Sequence, residues 1–276
     1  MKFKKQRNET IIFNAIFYDL YNNGKISEPR GLKILELENY NYQLSPYARF
    51  CNFKSRKLNI NYIKREFLWY LNGDKFDKNI IKYAKMWKSL VNRNGSINSN
   101  YGQYIFGKQQ QFKRCLNTLI EDKQSRRASI IILNKNHLKS NTKDYPCTYS
   151  INFRIRNDRL NMSVRMRSQD AVYGMGNDAP NFSFIHEMMY ILLKKTYKKL
   201  KYGIYYHSAD SMHIYERHWN MVEEILNIDK EVINISCPKI SCYEEAEFLM
   251  NNKINKVNKS KIPKKYKFSN WLLTYK

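Results

Sequence analysis

Residues 145–153 read Tyr-Pro-Cys-Thr-Tyr-Ser-Ile-Asn-Phe, and from position 149 apolar and polar side chains alternate as they do in a β-strand. The strand pattern covers 149–156 and resumes over 159–167, which predicts a β-hairpin. Asn157 and Asp158 lie between the two segments, and both residue types suit a two-residue turn. The pattern therefore predicts antiparallel sheet, with Cys147 at the entrance to its first strand.

Helical and strand patterns are interspersed along the rest of the chain. The predicted helices are 8–22, 62–71 (with Asn61 as N-cap and Gly73 as stop) and 182–197 after Pro180-Asn181, and the further predicted strands are 33–44 and Ala128–Leu133. The apolar C-terminal end, from Trp271, is expected to dock onto the body. No repeat or long linker divides the sequence. We therefore predict an α/β protein of the α+β type, a single domain over 1–276 with a large mixed β-sheet and helices packed on it.

The chain has 49 Lys and Arg against 24 Asp and Glu, a formal net charge of +25. A basic surface attracts nucleic acid, anionic membranes or phosphorylated small molecules. Much of the excess is scattered Lys beside many Asn and Ile, which biased codon use also produces, so charge alone does not establish DNA binding. No apolar run approaches the roughly 20 residues of a membrane span, and the N-terminus lacks a signal-peptide core. We expect a soluble, cytoplasmic protein that does not bind membranes.

Five cysteines are present, at positions 51, 115, 147, 237 and 242, and their odd number and irregular spacing favour reduced thiols and no metal site. Cys147 follows Pro146 between a polar loop and a strand, where a thiol could face a cleft. A thiolate there would be a soft nucleophile for an electron-poor carbon. A lone cysteine is more often a small buried residue, so this position alone does not establish catalysis.

Three polar clusters could serve an anionic substrate. Arg126 and Arg127 precede a buried strand and could clamp a phosphate through bidentate hydrogen bonds, or form a solvated charge pair. Arg167, Ser168 and Asp170 offer a guanidinium, a hydroxyl and a carboxylate within four positions. His213 and Tyr215 place two polar rings on one strand face, and either could be structural.

Together these segments resemble the thymidylate synthase family in motif content, order and spacing. The motifs are Arg30, the segment 65–74 (Arg-Glu-Phe-Leu-Trp-Tyr-Leu-Asn-Gly-Asp), Trp87, Asn100-Tyr-Gly102, Ser125-Arg-Arg127, 145–153, Met166-Arg-Ser-Gln-Asp170 and His213-Ile-Tyr215. The resemblance covers most of residues 28–219 and fades toward both ends. It implies the family fold, a homodimer that associates through the sheet, and 5,10-methylenetetrahydrofolate as co-substrate.

The resemblance also implies a role for each matching residue. Cys147 would add to C6 of a pyrimidine nucleotide, with Glu66, Tyr101 and Asp170 in the catalytic network. The nucleotide monophosphate and sugar would be bound by Arg30, Arg167, Ser168, His213 and Tyr215, with Arg126 and Arg127 donated by the second subunit. The folate would contact Trp87, Asp170, Gly174 and Lys57.

Position 178 departs from the family's pattern. Thymidylate-making members have an Asn whose amide matches uracil, and an ungapped count from Arg167-Ser168 puts Asp178 at that position. A carboxylate suits the amino group of cytosine and favours a protonated N3 as the ring gains electrons. Asp178 therefore favours a cytidylate, although a shift of one residue would restore Asn177 and uracil.

Thr148 after the nucleophile and Leu90 near Trp87 are further departures, and they suggest a more polar wall that admits water. Water attack on the one-carbon unit would give a 5-hydroxymethyl product. The sequence thus resembles the deoxycytidylate hydroxymethylases of DNA-modifying bacteriophages, and its location would be the host cytoplasm if it is phage-encoded. Two alternatives remain: a family member that acts on deoxyuridylate, and a basic nucleic-acid-binding protein on an inactive scaffold. Neither the deoxycytidylate enzyme nor the deoxyuridylate enzyme would require nucleic-acid binding.

Overall fold

The computed structural model describes residues 8–138, 142–227 and 232–274. Its α-helices are α1 (Asn8–Asn23), α2 (Ile60–Asn72), α3 (Gly102–Ile105), α4 (Gln111–Glu121), α5 (Gly174–Leu193), α6 (Trp219–Asn227), α7 (Tyr243–Met250) and α8 (Lys267–Leu272). Its strands are β1 (Lys25–Ser27), β2 (Ile34–Leu44), β3 (Ser129–Ile131), β4 (Thr148–Arg156), β5 (Arg159–Met166), β6 (Gln169–Asp170) and β7 (Lys201–Tyr215). Helices and strands alternate along the chain, which confirms the predicted mixed α/β class.

The predicted hairpin is confirmed as β4 and β5, which pair in antiparallel register up to Arg156 opposite Arg159. Asn157 and Asp158 have φ of 50° and 53°, the left-handed values that a two-residue hairpin turn requires. Ile151, Phe153 and Ile155 alternate inward along β4 and are buried. Local turn chemistry and side-chain alternation therefore decide this part of the fold.

The strands of the described residues form one mixed sheet in the order β1-β2-β7-β5-β4-β3, with β6 also paired to β7. β5 and β6 run parallel to β7, and the other described pairs are antiparallel. Because β7 pairs with β2, β5 and β6, it brings residues from distant parts of the sequence side by side in the middle of the sheet. The buried side chains form one hydrophobic cluster that extends from Phe13 to Leu272.

Helix α5 is nearly enclosed by the core, and its predicted start was wrong. Pro180 suggested a boundary near 182, yet the helix begins at Gly174 and continues through Pro180 to Leu193. Proline removes one backbone donor and crowds the preceding turn, but Phe182, Ile185 and Met188 in the same helix are fully buried. Burial of this apolar helix, at roughly 1.5–3 kcal/mol per large side chain, outweighs that local cost.

The ends of α2 were predicted in part. Gly73 ends the helix with φ 65°, as expected for a left-handed C-cap. The N-cap is Asn59 and not the predicted Asn61, because the Asn59 side chain accepts a hydrogen bond from the backbone N–H of Tyr62 at 2.9 Å. The cap thus lies two residues earlier, and the helix starts at Ile60.

The predicted docking of the C-terminal end is confirmed for the residues described there. The Trp271 ring packs against Phe268 and Phe184, with ring centroids 5.6 and 6.0 Å away. Lys64 of α2 donates to the carbonyl of Thr274 at 2.8 Å and lies 4.4 Å from the Trp271 ring centroid. The tail is therefore held against α2 and α5. In the described ranges, no helix is long and apolar enough to span a membrane.

Candidate active site

Cys147 lies just before β4, where the chain leaves a loop and enters the sheet, and its side chain is partly exposed. Arg167, at the end of β5, binds the same segment. Its backbone N–H donates to the Cys147 carbonyl at 2.8 Å, and its guanidinium donates to the carbonyls of Tyr145 and Pro146 at 2.7 and 3.0 Å. Nη2 of Arg167 is 3.5 Å from the Cys147 sulfur. The hairpin thus fixes a cation beside the thiol.

The electrostatics around this thiol are mixed. Burial raises the pKa of Cys147, and the positive charges of Arg167 and Arg30 oppose that rise. By contrast, burial raises the pKa of Cys51 and of Cys115 to about 12, and both lie in the core. Of these three thiols, Cys147 is the partly exposed one that faces two arginines, as a nucleophile for an anionic substrate should.

Glu66 is buried on α2, one turn after Tyr62. The Tyr62 hydroxyl donates to Oε1 of Glu66 at 2.8 Å, and Nδ2 of Asn181 donates to Oε2 at 2.7 Å. Trp87 donates its indole N–H to the Tyr62 oxygen at 2.9 Å, so this tryptophan is linked to Glu66 through one hydroxyl. Burial, followed by the charge of Asp178, raises the pKa of Glu66 to about 8.

Asp178 lies in the second turn of α5. Nε2 of Gln169 donates to its Oδ2 at 2.9 Å. Burial, with a further contribution from the charge of Asp170, raises the pKa of Asp178 to about 7. The negative charge of Asp178 in turn raises the pKa of Cys147 and of Glu66. The thiol and the two acids therefore share one electrostatic neighbourhood, so each would respond to the proton state of the others.

Tyr101 borders the same neighbourhood. Its side chain is buried and stacks on Phe182, with ring centroids 6.2 Å apart. Burial raises the pKa of Tyr101 well above its usual value, and the charges of Cys147 and Asp178 raise it further. The phenol therefore stays protonated, and its hydroxyl can donate or accept a hydrogen bond near the thiol.

Asp170 organises the loop between β6 and α5. Its carboxylate accepts backbone N–H groups from Val172, Tyr173 and Gly174 at 2.9, 3.1 and 3.4 Å. Asp170 is opposite His213 in the β6–β7 register. A Cβ added to Gly174 would lie 3.3 Å from Nε2 of Gln169, 3.4 Å from the Asp170 Cβ and 3.9 Å from Oδ2 of Asp178, so Gly174 lies close to both carboxylates.

His213 and Tyr215 share a face of β7, as predicted, with ring centroids 5.0 Å apart and planes at 86°. His213 is buried, which lowers its pKa, while Tyr215 is half-buried. Arg30 is exposed in the turn Pro29–Gly31 with φ 56°. Burial raises the pKa of Tyr215 and of Cys147, and the charge of Arg30 opposes that rise. Ser168 is half-buried directly between Arg167 and Gln169. Arg30 and Arg167 thus act electrostatically on Cys147, which also interacts with Tyr215, and Tyr215 packs on His213.

Three predicted binding residues lie elsewhere on the chain's surface. Arg126 and Arg127 are exposed and line a shallow hollow with Thr118 and Asp122. Neither arginine contributes to the pKa shift described for Cys147. Lys57 is exposed with φ 50°. Within one chain, the structure thus does not bring these three cations to the thiol.

Pattern reasoning missed two side chains that shape the site. Arg56, next to Lys57, is buried, donates Nε to the Val172 carbonyl at 2.7 Å and lies 4.7 Å from the Tyr173 ring centroid. A Cβ on Gly176 would come within 2.6 Å of the Arg56 guanidinium, so glycine is required there. Gln169, the partner of Asp178, was also missed. Adjacency to Asp170 was the available signal for Gln169, and no local pattern marks Arg56.

The arrangement combines a thiol beside arginines with two acids, Glu66 buried and Asp178 partly buried, whose pKa values lie near neutrality. Such a set can add sulfur to an electron-poor ring of an anionic molecule and move protons around that ring. In the described ranges, no group of three or more His, Cys, Asp or Glu side chains could hold a metal ion.

Comparison with known proteins agrees with the geometry. The chain is 31% identical over 179 residues to the deoxycytidylate 5-hydroxymethyltransferase of Enterobacteria phage T2, which is 62% of this chain and 73% of that protein. It is 27% identical over 222 residues to the deoxyuridylate hydroxymethyltransferase of Bacillus phage SP01, which is 75% of this chain and 57% of that protein. It is 26% identical over 164 residues to a thymidylate synthase of Fusobacterium nucleatum, 58% of each chain. The thymidylate synthase family model matches residues 12–258, and the chain belongs to the thymidylate synthase family.

Proposed function

We propose that this protein transfers a one-carbon unit from 5,10-methylenetetrahydrofolate to C5 of dCMP and adds water, giving 5-hydroxymethyl-dCMP. The observation that carries the proposal is the position of Asp178, a carboxylate whose charge acts on both Cys147 and Glu66. The relatives from phages T2 and SP01 bear names that specify hydroxymethyl transfer to deoxycytidylate and deoxyuridylate. Hydroxymethyl transfer is thus common to both, and Asp178 is our reason to choose cytosine.

Cys147 begins the reaction by adding its sulfur to C6 of the ring. The S–C6 bond forms, the C5–C6 π electrons move toward C5, and C5 becomes the nucleophilic carbon. Arg167 supports this step twice: its backbone and guanidinium hold the Tyr145–Cys147 segment, and its charge favours the thiolate. Arg30, Arg167 and Ser168 bind the phosphate, while His213 and Tyr215 contact the sugar.

Asp178 reads the base. Cytosine offers an amino donor and an unprotonated N3, whereas uracil offers an N3 donor and an O4 acceptor. A carboxyl group with a pKa of about 7 can accept from the amino group and lend a proton to N3 while the ring is electron-rich. Uracil would leave hydrogen-bonding groups unpaired at roughly 1–3 kcal/mol each.

The folate supplies the one-carbon unit when it is bound. The Asp170 carboxylate, beside Gly174, would accept hydrogen bonds from the N–H groups of the folate ring system. Trp87 and Lys57 are the other residues that we propose to contact the folate. Trp87 is connected to Glu66 by its hydrogen bond to the Tyr62 hydroxyl. Glu66, protonated near neutral pH, can deliver and retrieve protons there. Thr148, fully buried beside the nucleophile, gives water a polar wall.

A second copy of the chain completes the proposed site. Arg126 and Arg127 are exposed, which suits cations that a subunit donates to its neighbour. The sheet carries a hollow of about 570 Å³ that is lined by polar side chains of β2, β4, β5 and β7, among them Arg154, Arg165 and Tyr206. We propose a homodimer that associates through this sheet, with Arg126 and Arg127 reaching the partner's phosphate site.

The competing hypothesis is a basic nucleic-acid-binding protein on an inactive scaffold. Binding alone needs no thiol beside arginines and no pair of acids with pKa values raised toward neutrality, so the geometry favours catalysis. An enzyme of this kind would act on the cytoplasmic nucleotide pool, and its basic surface would not require nucleic acid as a partner.

The experiment is to incubate the protein with methylenetetrahydrofolate and either dCMP or dUMP, and to weigh the products by mass spectrometry. We expect dCMP to gain one CH2O unit, with no dihydrofolate absorbance. A gain of CH2 with dihydrofolate would indicate methyl transfer, and a product from dUMP alone would refute the choice of base. Cys147→Ser should lose turnover with either nucleotide. Unchanged behaviour of that variant would favour the binding-protein hypothesis.

A further inference from the structure

Gln169 is a buried amide next to the proposed base-reading acid. It forms the two-residue strand β6 with Asp170 and pairs with Met212 of β7. Its side chain is only 1% exposed, and Nε2 donates to Oδ2 of Asp178 at 2.9 Å. Strand pairing thus fixes the backbone of Gln169, and its amide acts on Asp178 from a rigid position.

The other end of this amide is unpartnered. Among the described residues, Oε1 of Gln169 is buried and accepts no hydrogen bond. A buried acceptor without a donor is costly, so its presence beside the site requires a reason. Because the single described bond of the amide goes to Asp178, the amide can turn over without breaking another described bond.

Asp178 needs a partner that tolerates a change of charge. An ionised carboxylate accepts hydrogen bonds only, whereas a protonated carboxyl also has one O–H donor. In the described ranges, Oδ2 of Asp178 is bonded to Gln169, and no hydrogen bond is formed at Oδ1. The bond at Oδ2 therefore orients the carboxyl group and leaves Oδ1 for another ligand.

We propose that Gln169 is a positioning residue that serves both proton states of Asp178 during catalysis. When Asp178 is ionised, Nε2 donates to Oδ2, as in the structure. When Oδ2 carries the proton, the amide turns over and Oε1 accepts that O–H. When the base is bound, this proton leaves Oε1 and passes from Oδ2 to N3, and the amide turns back so that Nε2 again donates to the ionised Oδ2. The proton returns from N3 to Oδ2 when the ring loses its extra electrons, so charge and protons balance over a cycle. The inference rests on the proposed role of Asp178 as the reader of the base.

Other titratable groups also act on Asp178 and stay constant in the test. These groups are Tyr62, Glu66 and Tyr70 on α2, Tyr101 just before α3, Tyr42 on β2, Asp170 on β6, Tyr205 on β7 and Cys147 just before β4. None of them donates a described hydrogen bond to Asp178. Gln169 is therefore the group whose replacement changes the hydrogen bonding of this acid without removing a charge.

The test is a titration of the free protein labelled with ¹³C at the aspartate carboxyls, followed by NMR, with Asp178→Asn to assign the resonance. Gln169→Leu removes the donor at similar size, and Gln169→Glu keeps the shape but substitutes an acid that repels an ionised Asp178. In Gln169→Leu, we expect the titration midpoint of the Asp178 carboxyl group to rise by about one to two pH units, because a hydrogen bond to the ionised carboxylate is lost. It should rise further in Gln169→Glu. If Gln169 only filled space, the midpoint in Gln169→Leu would stay near the wild-type value.

A second measurement connects the titration to turnover. At pH 7, kcat/KM for dCMP should fall about tenfold or more in both variants, with thermal unfolding used to establish that each is folded. An unchanged midpoint in the two variants would overturn the inference, and so would a raised midpoint with unchanged kcat/KM. The titration needs no substrate, so it remains decisive if the protein proves to act on dUMP.

Discussion

Helix α5 carries two carboxylates in opposite circumstances. Glu187 is fully buried and is paired with Arg49, whose Nη2 lies 2.8 Å from Oε2 of Glu187. Oε1 of Glu187 accepts a hydrogen bond from the backbone N–H of Ile240 at 2.9 Å. Asp178, nine residues earlier, has an amide partner, and its nearest acids are Asp170 and Glu66. One helix thus holds an acid that is paired with a cation and an acid whose pKa is raised to about 7.

The difference separates a structural carboxylate from one that can react. A buried ion pair joins parts of the fold, and removal of one partner leaves an uncompensated charge. A buried acid without a cation costs stability whenever it ionises, yet it can exchange a proton near neutral pH. The site therefore destabilises the protein in return for function, whereas the Glu187 region stabilises it.

Arg49→Met should produce the largest loss of stability. It leaves Glu187 buried without a cation, and we expect about 3–5 kcal/mol off the free energy of unfolding, measured by urea denaturation. The double variant Arg49→Met, Glu187→Leu is the matched control, since it removes both charges and should recover most of the loss. An equal loss in both would show that Arg49 acts through packing on Phe184 and Tyr47 and not through the ion pair.

Glu66→Gln should change the pH dependence of stability. The wild-type carboxyl has a pKa of about 8 in the folded protein against 4.5 when unfolded, so the folded state retains the proton between those values. Stability should therefore fall as pH rises from about 4.5 to about 8, by up to about 5 kcal/mol, and level off above. In the Glu66→Gln variant this slope should be much reduced, as measured by thermal or urea unfolding at about pH 5 and about pH 8.5. An identical slope in the two proteins would contradict a buried acid at position 66.

Asp178→Asn should have the smallest of these three effects, a change in the pKa of Glu66. The charge of Asp178 helps to raise the pKa of Glu66, so its removal should lower that pKa by up to about one unit. A ¹³C titration of the glutamate carboxyls measures the shift, and Glu66→Gln assigns the signal. Arg49→Met is the control, because that residue makes its ion pair with Glu187 and is not among the groups that shift Glu66. A constant midpoint would show that the two acids are independent.

The sequence predicts features of the fold that depend on neighbouring residues. The turn at Asn157-Asp158 and the stop at Gly73 were predictable because those residue types tolerate left-handed backbone. The start of α5 was not, because Pro180 resembles a helix stop locally, and burial of the whole helix outweighs its cost. The Arg49–Glu187 pair joins positions 138 residues apart, and no periodicity indicates it.

The site was predictable to the extent that its residues recur in ordered motifs. The resemblance to the thymidylate synthase family implied roles for Cys147, Glu66, Arg167 and Asp178. In the structure, Arg167 lies beside the Cys147 sulfur, and the charge of Asp178 acts on both Cys147 and Glu66. Gln169 and Arg56 act through contacts that depend on the folded chain, so single-sequence patterns do not reveal them. The roles of Arg126 and Arg127 depend on a second subunit and remain predictions.

The central claim is that the carboxyl group of Asp178 selects cytosine, and the ratio of kcat/KM for dCMP to that for dUMP tests it most directly. The wild-type protein should prefer dCMP, and Asp178→Asn should move the ratio toward dUMP by about 100-fold or more, because two hydrogen bonds to the base are exchanged. Asn177→Ala, a change at the adjacent position, should leave the ratio unaltered. An unchanged ratio in Asp178→Asn, or a switch caused by Asn177→Ala, would contradict the claim.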